Sequence, residues 1–328
     1  MTTASNTTPS ITTASTPNVA ADGSFPAGEL HKHTWAEIAN APQIIPALAL
    51  RGVPSVILAL VDVKLIIVHG GRSSHQDEQV ATALAYWAGA EGARIERRDP
   101  TPEELADHDI LVMDVGGQHN PEALNFDHHQ LPRDAEPTCA YSLMAEFLGV
   151  RKDLGELFSW FEPGIVLDSK GPFALAKSFG VAWDQVSGMV LTPSRTWHDQ
   201  KWAEDSFYRE CYTRWLANEI MLALDEYKAA KAVYTVEEIA GLRVLNVQGL
   251  NPGVVQDALV RSLKPQVVIF DDDRGAGLGL LRINDDPQVD FSRLEGDEAV
   301  LFAHKGGFIA NTKDKDADIP NLLAKAKV

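Results

Sequence analysis

Short apolar segments alternate with helical patterns over the first half of this chain. Val61–Val68 and Ile110–Val115 are almost uninterrupted apolar runs, which is typical of parallel strands that are buried on both faces. Between them, apolar residues at helical spacing predict a helix over Asp77–Ala90, and a further strand is predicted over Ala93–Arg97. Strands that alternate with helices favour right-handed crossovers, so the sequence predicts an α/β fold with a parallel sheet.

The second half of the chain shows two different patterns. From Pro137 to about Lys231 the pattern is almost wholly helical, and Glu204–Lys228 is predicted to form one long amphipathic helix. A second, smaller α/β unit follows, with a predicted helix at Val254–Leu263 and strands at Leu242–Val247, Gln266–Phe270, Leu278–Ile283 and Ala299–Ala303. We therefore expect a disordered tail at 1–28, a larger domain with a helical extension at 29–232, and a C-terminal domain at 233–328.

Charge and composition limit the partners of the chain. The 328 residues carry a formal net charge of -17, and long nucleic acids are bound mainly through basic faces, so we expect a short phosphate-containing substrate instead. The Thr- and Ser-rich N-terminus lacks the features of a secretory signal, and the most apolar segment, Ala41–Val61, is broken by Pro46, Arg51 and Pro54. Two widely separated cysteines fit a reducing compartment. We expect a cytoplasmic protein without a membrane partner, and the sequence leaves its oligomeric state open.

Ionisable residues follow the predicted strands. His69, His75 and Asp77 lie in the loop and helix start after the first strand, and Asp114 ends the third strand. The run Asp127-His128-His129 arrives thirteen positions later. Ligand sites lie at the carboxyl ends of strands in parallel sheets, and carboxylates with imidazoles bind divalent metals. The sequence therefore predicts a two-metal site in which Asp114 is the bridging ligand.

Each of these residues also has a purely structural interpretation. Ser74 or Asp77 is able to cap the helix while the neighbouring histidines remain solvated. A lone aspartate such as Asp114 or Asp168 is more often a helix cap or a turn residue than a ligand. The metal interpretation gains its weight from the presence of all of these residues in one chain.

A second candidate segment follows the last predicted strand. His304, Lys305, Gly306 and Gly307 form a predicted tight turn, in which the glycines would allow backbone N–H groups to approach an anion. Lys305 adds a positive charge, and His304 adds a donor near neutral pH. The alternative is a simple hairpin between two strands.

Together, these motifs resemble those of the DHH phosphoesterase superfamily. Within it they are most similar to the melanocyte-proliferating-gene family of DHH-like exonucleases and its uncharacterised prokaryotic relatives. The resemblance extends from about Leu65 to Gly171, with a weaker C-terminal part at Phe302–Ile309. It is carried by Arg97–Pro100, Asp114–Gly117, Phe126–Gln130 and Thr138–Ala140. The chain departs from the family pattern in its first loop, where Ser74 replaces a phenylalanine, and at Gln118–Pro121.

The resemblance implies a role for each matched position and a dinuclear manganese site, with magnesium or another divalent metal as the alternative. One ion would be held by His75 and Asp77, with His69 as a helper. The second would be held by His128 and Asp168, and Asp114 would bridge the two. Catalytic roles fall to Asp127 and His129, and substrate binding falls to His304, Lys305, Gly306 and Gly307.

The expected function is that of a metal-dependent phosphohydrolase. The resemblance implies an exonuclease-like enzyme that cleaves a phosphodiester in a short oligonucleotide or nucleotide, with the catalytic site in the domain at 29–232. A pyrophosphatase or another small-phosphate hydrolase is the alternative within the same class. A non-catalytic metal- or nucleotide-binding regulatory protein is the alternative from another class.

Overall fold

The computed structural model describes residues 60–190, 192–250, 253–272 and 275–328. The tail predicted at 1–28 lies outside these residues. The described strands are β1 Leu65–Val68, β2 Arg94–Arg97, β3 Ile110–Met113, β4 His119–Asn120, β5 Asn125–Phe126, β6 Thr235–Ile239, β7 Leu242–Asn246, β8 Val267–Asp271, β9 Leu278–Arg282, β10 Val300–Ala303 and β11 Ile309–Thr312. The described α-helices are α1 Gln76–Ala85, α2 Pro102–Leu105, α3 Ala140–Phe147, α4 Arg151–Leu157, α5 Phe161–Lys170, α6 Pro172–Ser178, α7 Trp183–Val190, α8 Pro193–Glu204, α9 Ser206–Val233, α10 Val254–Leu263 and α11 Ile319–Ala326.

The first sheet has the strand order β2-β1-β3-β5-β4. Its first four strands pair in parallel, and β4 pairs with β5 in the antiparallel direction. All four residues of β1 are buried, because helices and loops cover both faces of this strand. The predicted α/β fold with a parallel sheet is therefore confirmed.

The helix predicted after β1 is present but changes its geometry near its end. It continues from α1 into one π-helical turn, Tyr86–Ala90, where Gly89 has a φ of 110°. A capping box begins α2: Thr101 accepts a hydrogen bond from the Glu104 N–H, and the Glu104 carboxylate accepts one from the Thr101 N–H. The long predicted helix corresponds to α9.

The second sheet has the strand order β10-β11-β9-β8-β7-β6. Among its described pairs, β7 and β8 are parallel and the others are antiparallel. The sheet packs on α11 around a core that includes Phe291, Leu280 and Leu323. The second unit of the predicted fold is thus confirmed, whereas the predicted domain boundary at 232/233 stays a prediction.

Two further expectations concern single features. Cys139 and Cys211 are buried free thiols. Among the described residues, no helix combines the length and the apolar character needed to cross a bilayer.

Candidate metal centre

The ends of two paired strands place His69 and Asp114 next to each other. Val68 of β1 and Met113 of β3 are partners in the parallel register, and the two site residues follow directly. Asp114 has a left-handed backbone (φ 59°), which aspartate tolerates better than most residues, and its N–H donates to the Phe126 carbonyl (3.1 Å). The turn aims a buried carboxylate at the strand ends, where the sequence predicted a ligand.

His128 lies at the centre of the site, among three carboxylates. Its Nε2 is 3.1 Å from Asp168 Oδ2, 3.3 Å from Asp114 Oδ1 and 3.6 Å from Asp77 Oδ2. This buried nitrogen nevertheless makes no well-aligned hydrogen bond. Burial opposes the charged imidazole, but Asp114 and Asp168 outweigh this effect and raise the pKa of His128 to about 10. A nitrogen surrounded by oxygens in this way has the donor set of a divalent cation site.

Asp77 joins the site to a helix. Its two oxygens accept hydrogen bonds from the backbone N–H groups of Ala140 (2.8 Å) and Tyr141 (2.7 Å), the first residues of α3. The structural interpretation of Asp77 as a cap therefore applies to α3 and not to its own helix, α1. Burial, followed by the neighbouring Asp114 and Asp168, holds the pKa of Asp77 well above its usual value.

Asp127 organises the loop that carries the two histidines. Its Oδ1 accepts hydrogen bonds from the N–H groups of His128 (2.7 Å) and His129 (3.1 Å) and lies 2.7 Å from His129 Nδ1. Its Oδ2 accepts the Gly117 N–H (2.6 Å). Burial opposes ionisation of Asp127, but these backbone donors lower its pKa overall. The side chain of His129 is 56% exposed, so its ring faces the open side of the site.

Asp168 reaches the site from the last turn of α5, so it is not the cap of that helix. Two residues later, the Lys170 ammonium donates to the carbonyls of Arg133 (2.8 Å) and Ala135 (2.6 Å). Lys170 thereby ties the end of α5 to the loop that follows the two histidines.

Glu78 is a site residue that the sequence interpretation missed. Its side chain is fully buried, and its Oε1 lies 2.9 Å from Nη2 of Arg97 at the end of β2. Arg97 also donates to the carbonyls of Gly71 and Ser73 (both 2.9 Å), so it fixes the loop between His69 and α1. Burial is the main reason that the pKa of Glu78 rises to about 9. The spacing of His75 and Glu78, three residues apart on one helix, was the available signal.

Potential ligand atoms gather in three groups within the described part of the chain. In each group, one atom per residue lies within 4.8 Å of the others: Asp77, His128 and Asp168; His69, Glu78 and Asp114; and Asp114, Asp127, His128 and His129. His75 belongs to none of these groups. It is the exposed N-cap residue of α1, and its ring centroid lies 6.2 Å from that of His69. Its role as a ligand stays a prediction.

A cleft of about 670 Å³ opens over these residues. The residues that line it include His69, His75, His129, Arg133, Thr138 and Lys170. A volume of this size is typical of small-molecule sites.

The predicted C-terminal segment lies in a hairpin between β10 and β11. The Gly306 N–H donates to His304 Nδ1 (2.9 Å), and the Gly307 N–H donates to the His304 carbonyl (2.8 Å). Both glycine amides are thus engaged within the turn, and a Cβ at Gly307 would lie 2.2 Å from Asp290 Oδ1. The side chains of His304 and Lys305 are exposed beside a separate cleft of about 470 Å³. Their role in substrate binding stays a prediction.

The comparison with protein families matches the part of the chain that forms this site. Residues 65–139 match the model MYG1_exonuc, described as "Uncharacterised protein family (UPF0160)". The matched family is DHH-like. The match contains His69, Asp77, Asp114 and His128, so the predicted resemblance is confirmed for this segment, and it agrees with the predicted class of metal-dependent hydrolase. No curated protein matches the chain.

Several solved structures resemble the chain weakly. RecJ in complex with Mn²⁺ from Thermus thermophilus is 16% identical with a TM-score of 0.26, and the match covers 89% of this chain and 56% of RecJ. The DHH domain of a member of a family of ribosomal proteins is 11% identical with a TM-score of 0.25, covering 90% of this chain and 96% of that domain. Exonuclease RecJ bound to manganese is 13% identical with a TM-score of 0.26, covering 87% of this chain and 94% of the exonuclease. These TM-scores are too low to support an activity.

Proposed function

We propose that this chain is a metal-dependent phosphohydrolase that cleaves a phosphodiester in a short oligonucleotide or nucleotide. The observation that supports this most directly is the buried Nε2 of His128, which lies 3.1–3.6 Å from oxygens of Asp77, Asp114 and Asp168 without a hydrogen bond. A nitrogen and several carboxylate oxygens together suit manganese or magnesium. The family match over residues 65–139 adds independent support.

The distances favour a particular distribution of ligands over two ions. Asp77 was expected to share an ion with His75, but it lies with His128 and Asp168. We assign these three residues to one ion. We assign His69 and Glu78 to the second ion, and we propose that both ions share Asp114. A rotation of the exposed His75 side chain would allow it to complete the site of the second ion. Manganese is our first choice, and magnesium is the alternative.

Two divalent ions held in this way would supply a nucleophilic water at neutral pH and balance the charge of the phosphate. The residues of the chain would do the rest. Asp127 holds His129 at the open side of the site, and we expect the half-exposed ring of His129 to contact the scissile phosphate there. Lys170 holds the loop at Arg133–Ala135 and so shapes the wall of the cleft.

The first experiment is a metal and substrate screen on the purified protein. Mass spectrometry of metal content is expected to give up to two divalent ions per chain after manganese loading. Hydrolysis is then assayed with short RNA, short DNA, dinucleotides and pyrophosphate, and we expect turnover of the diesters. A protein that binds no stoichiometric metal would instead fit the non-catalytic alternative, and turnover of pyrophosphate alone would fit the small-phosphate alternative.

We keep a substrate contact by the second sheet as a separate proposal. It rests on the exposed side chains of His304 and Lys305, since the glycine amides are already engaged. His304→Ala is expected to lower kcat/KM about tenfold, about 1.4 kcal/mol, while bound metal stays unchanged. Wild-type kinetics on every accepted substrate would leave the segment with the role of a hairpin.

A further inference from the structure

A second cleft meets the candidate metal centre from another side. It has a volume of about 430 Å³ and shares Asp168 and His75 with the larger cleft. Asp77 and Arg195 also line it, and neither of them lines the larger cleft. The metal ligands therefore stand where the two clefts meet, so a phosphate bound to them has space for substituents on both sides.

Arg195 is the positively charged group of this second cleft. It lies in the first turn of α8, where its backbone N–H donates to the N-cap Thr192 (3.2 Å). Its Nε lies 3.6 Å from Asp199 Oδ2, and the side chain is 37% exposed. Within the described part of the chain, its terminal nitrogens donate no hydrogen bond. The flat, two-pronged end of the guanidinium is thus free to bind an anion with two parallel hydrogen bonds.

The middle of α8 is hydrogen-bonded to the loop and helix that lead to the candidate metal centre. The Asp199 carbonyl accepts hydrogen bonds from the N–H (3.1 Å) and the hydroxyl (2.9 Å) of Ser74, and Asp199 Oδ1 accepts one from Gln79 Nε2 (2.9 Å). Ser74 immediately precedes His75. Arg195 is therefore placed relative to the metal ligands by a fixed network rather than by a free loop.

The wall of the cleft is shaped by a glycine. A Cβ at Gly164 would lie 2.4 Å from the hydroxyl of Tyr141, which donates to the Phe161 carbonyl (2.6 Å). Gln76 lines the same wall with its half-buried amide. Besides the carboxylates of Asp77, Asp168 and Asp199, the cleft thus has a cation, an amide and a closely packed wall. The net charge of the molecule is -17, so a phosphate needs a local cation.

We propose that the cleft at Arg195 is a second phosphate subsite, which binds a terminal phosphate of the substrate while the scissile diester lies at the metal ligands. This inference rests on the proposed function and deepens it. Each cleft alone has the size of a small-molecule site, so the pair suits a diester with a group on either side better than it suits pyrophosphate. The substrate is thus a terminally phosphorylated short nucleotide chain.

The test compares dinucleotides that differ in the terminal phosphate. Manganese-loaded wild type and Arg195→Gln are assayed with ApA, 5′-phosphorylated pApA and 3′-phosphorylated ApAp. We expect the wild type to prefer one of the phosphorylated forms. The preference is measured as the ratio of kcat/KM for that form to kcat/KM for ApA. This ratio is expected to fall at least tenfold in Arg195→Gln. Arg195→Lys is expected to restore part of the preference, since it keeps the charge but not the guanidinium geometry.

Arg151→Gln is the matched control. Arg151 is 33% exposed and lies 3.5 Å from the Glu162 carboxylate, so its setting resembles that of Arg195, but it lines neither cleft. It is expected to keep the substrate preference of the wild type. An equal preference in wild type and Arg195→Gln, or an equal change in the control, would overturn the subsite.

Binding separates the subsite from the proposed hydrolysis. Calorimetry with AMP and adenosine on the same manganese-loaded proteins is expected to show at least tenfold weaker binding of AMP to Arg195→Gln, and no such difference for adenosine. Equal affinities for AMP would refute the subsite even if the enzyme hydrolyses diesters. A difference for AMP without hydrolysis of any diester would refute the proposed function and retain the subsite.

Discussion

Asp114 combines two properties in a single residue: a carboxylate at the centre of the site and a left-handed backbone (φ 59°). Asn adopts this conformation more readily than Ala, for which it costs roughly 1–2 kcal/mol. We therefore expect Asp114→Asn and Asp114→Ala both to lose hydrolysis, but Asp114→Ala to be less stable than Asp114→Asn by about 1 kcal/mol. Kinetics at saturating manganese and urea unfolding measure the two effects.

The control for this prediction lies at the other end of the same strand. Asp109 precedes β3, and its half-exposed carboxylate pairs with Lys64. Asp109→Asn is expected to keep wild-type turnover. An Asp114 variant that retains more than about a tenth of the wild-type rate would exclude Asp114 as the shared ligand.

The two adjacent histidines are expected to differ in what their removal does. His128 is buried among three carboxylates, whereas the half-exposed ring of His129 pairs with Asp127. His128→Ala is expected to reduce bound metal toward one ion per chain, since it removes a ligand of only one ion. His129→Ala is expected to keep both ions and to slow turnover. The number of ions bound to each variant is measured by mass spectrometry. Loss of an ion in His129→Ala but not in His128→Ala would show that His129 is the ligand and His128 is not.

Only some of these residues could be predicted, because a sequence records the order of ionisable groups but not their burial. His69, Asp77, Asp114, His128 and Asp168 converge in the structure because each follows or lies near a strand or helix end that could be predicted. Glu78 lies at the same helix start as Asp77, but its burial could not be predicted, since it depends on Arg97 from β2. The contact of Asp77 with the start of α3 could not be predicted either, because α3 begins 63 residues further along the chain.

At the level of elements, Arg97 connects the end of β2 with the loop after β1 and with α1. Its contacts to two carbonyls and a carboxylate come from two separate guanidinium nitrogens. A lysine has a single nitrogen and cannot reproduce this arrangement. We expect Arg97→Lys to lower the free energy of unfolding by about 1–3 kcal/mol, since it leaves buried acceptors unpaired. Metal affinity is expected to fall as well, because the loop between His69 and His75 loses its anchor. Urea unfolding of the metal-free protein and manganese titration measure both.

Arg94→Lys offers a control on the same strand. Arg94 is 72% exposed and, among the described residues, forms an ion pair only with Glu96 on its own strand. Its replacement is therefore expected to change stability by less than about 0.5 kcal/mol. Equal effects of the two substitutions would show that Arg97 does not fix the metal loop.

Elements with a strong periodic pattern could be predicted, and those defined by tertiary pairing could not. The helix expected at Val254–Leu263 has the predicted ends. β6, with the sequence TVEEI, carries little apolar pattern because it is a mostly exposed edge strand, which pairs with β7 alone among the described strands. The two-residue strands β4 and β5 are likewise defined by their pairing rather than by any run of residues.

At the level of the whole molecule, the net charge of -17 repels long polyanions. Such repulsion is screened over about 10 Å at 0.1 M salt, so it acts weakly on a small substrate that lies within the clefts. We therefore expect substrates of a few nucleotides to be cleaved at least as well as long strands. Competition assays over a range of salt concentrations measure this, and a strong preference for long strands with a steep salt dependence would contradict it.

The double hydrogen bond from α3 to Asp77 has a consequence for the strength of this ligand. The start of a helix carries partial positive charge, and here two N–H groups draw on both oxygens of the carboxylate. An ion bound to Asp77 would receive less electron density than it would from the same carboxylate without these two hydrogen bonds. Such an ion would be held less tightly but would be a stronger Lewis acid, a balance that favours exchangeable, reactive metal over permanently sequestered metal.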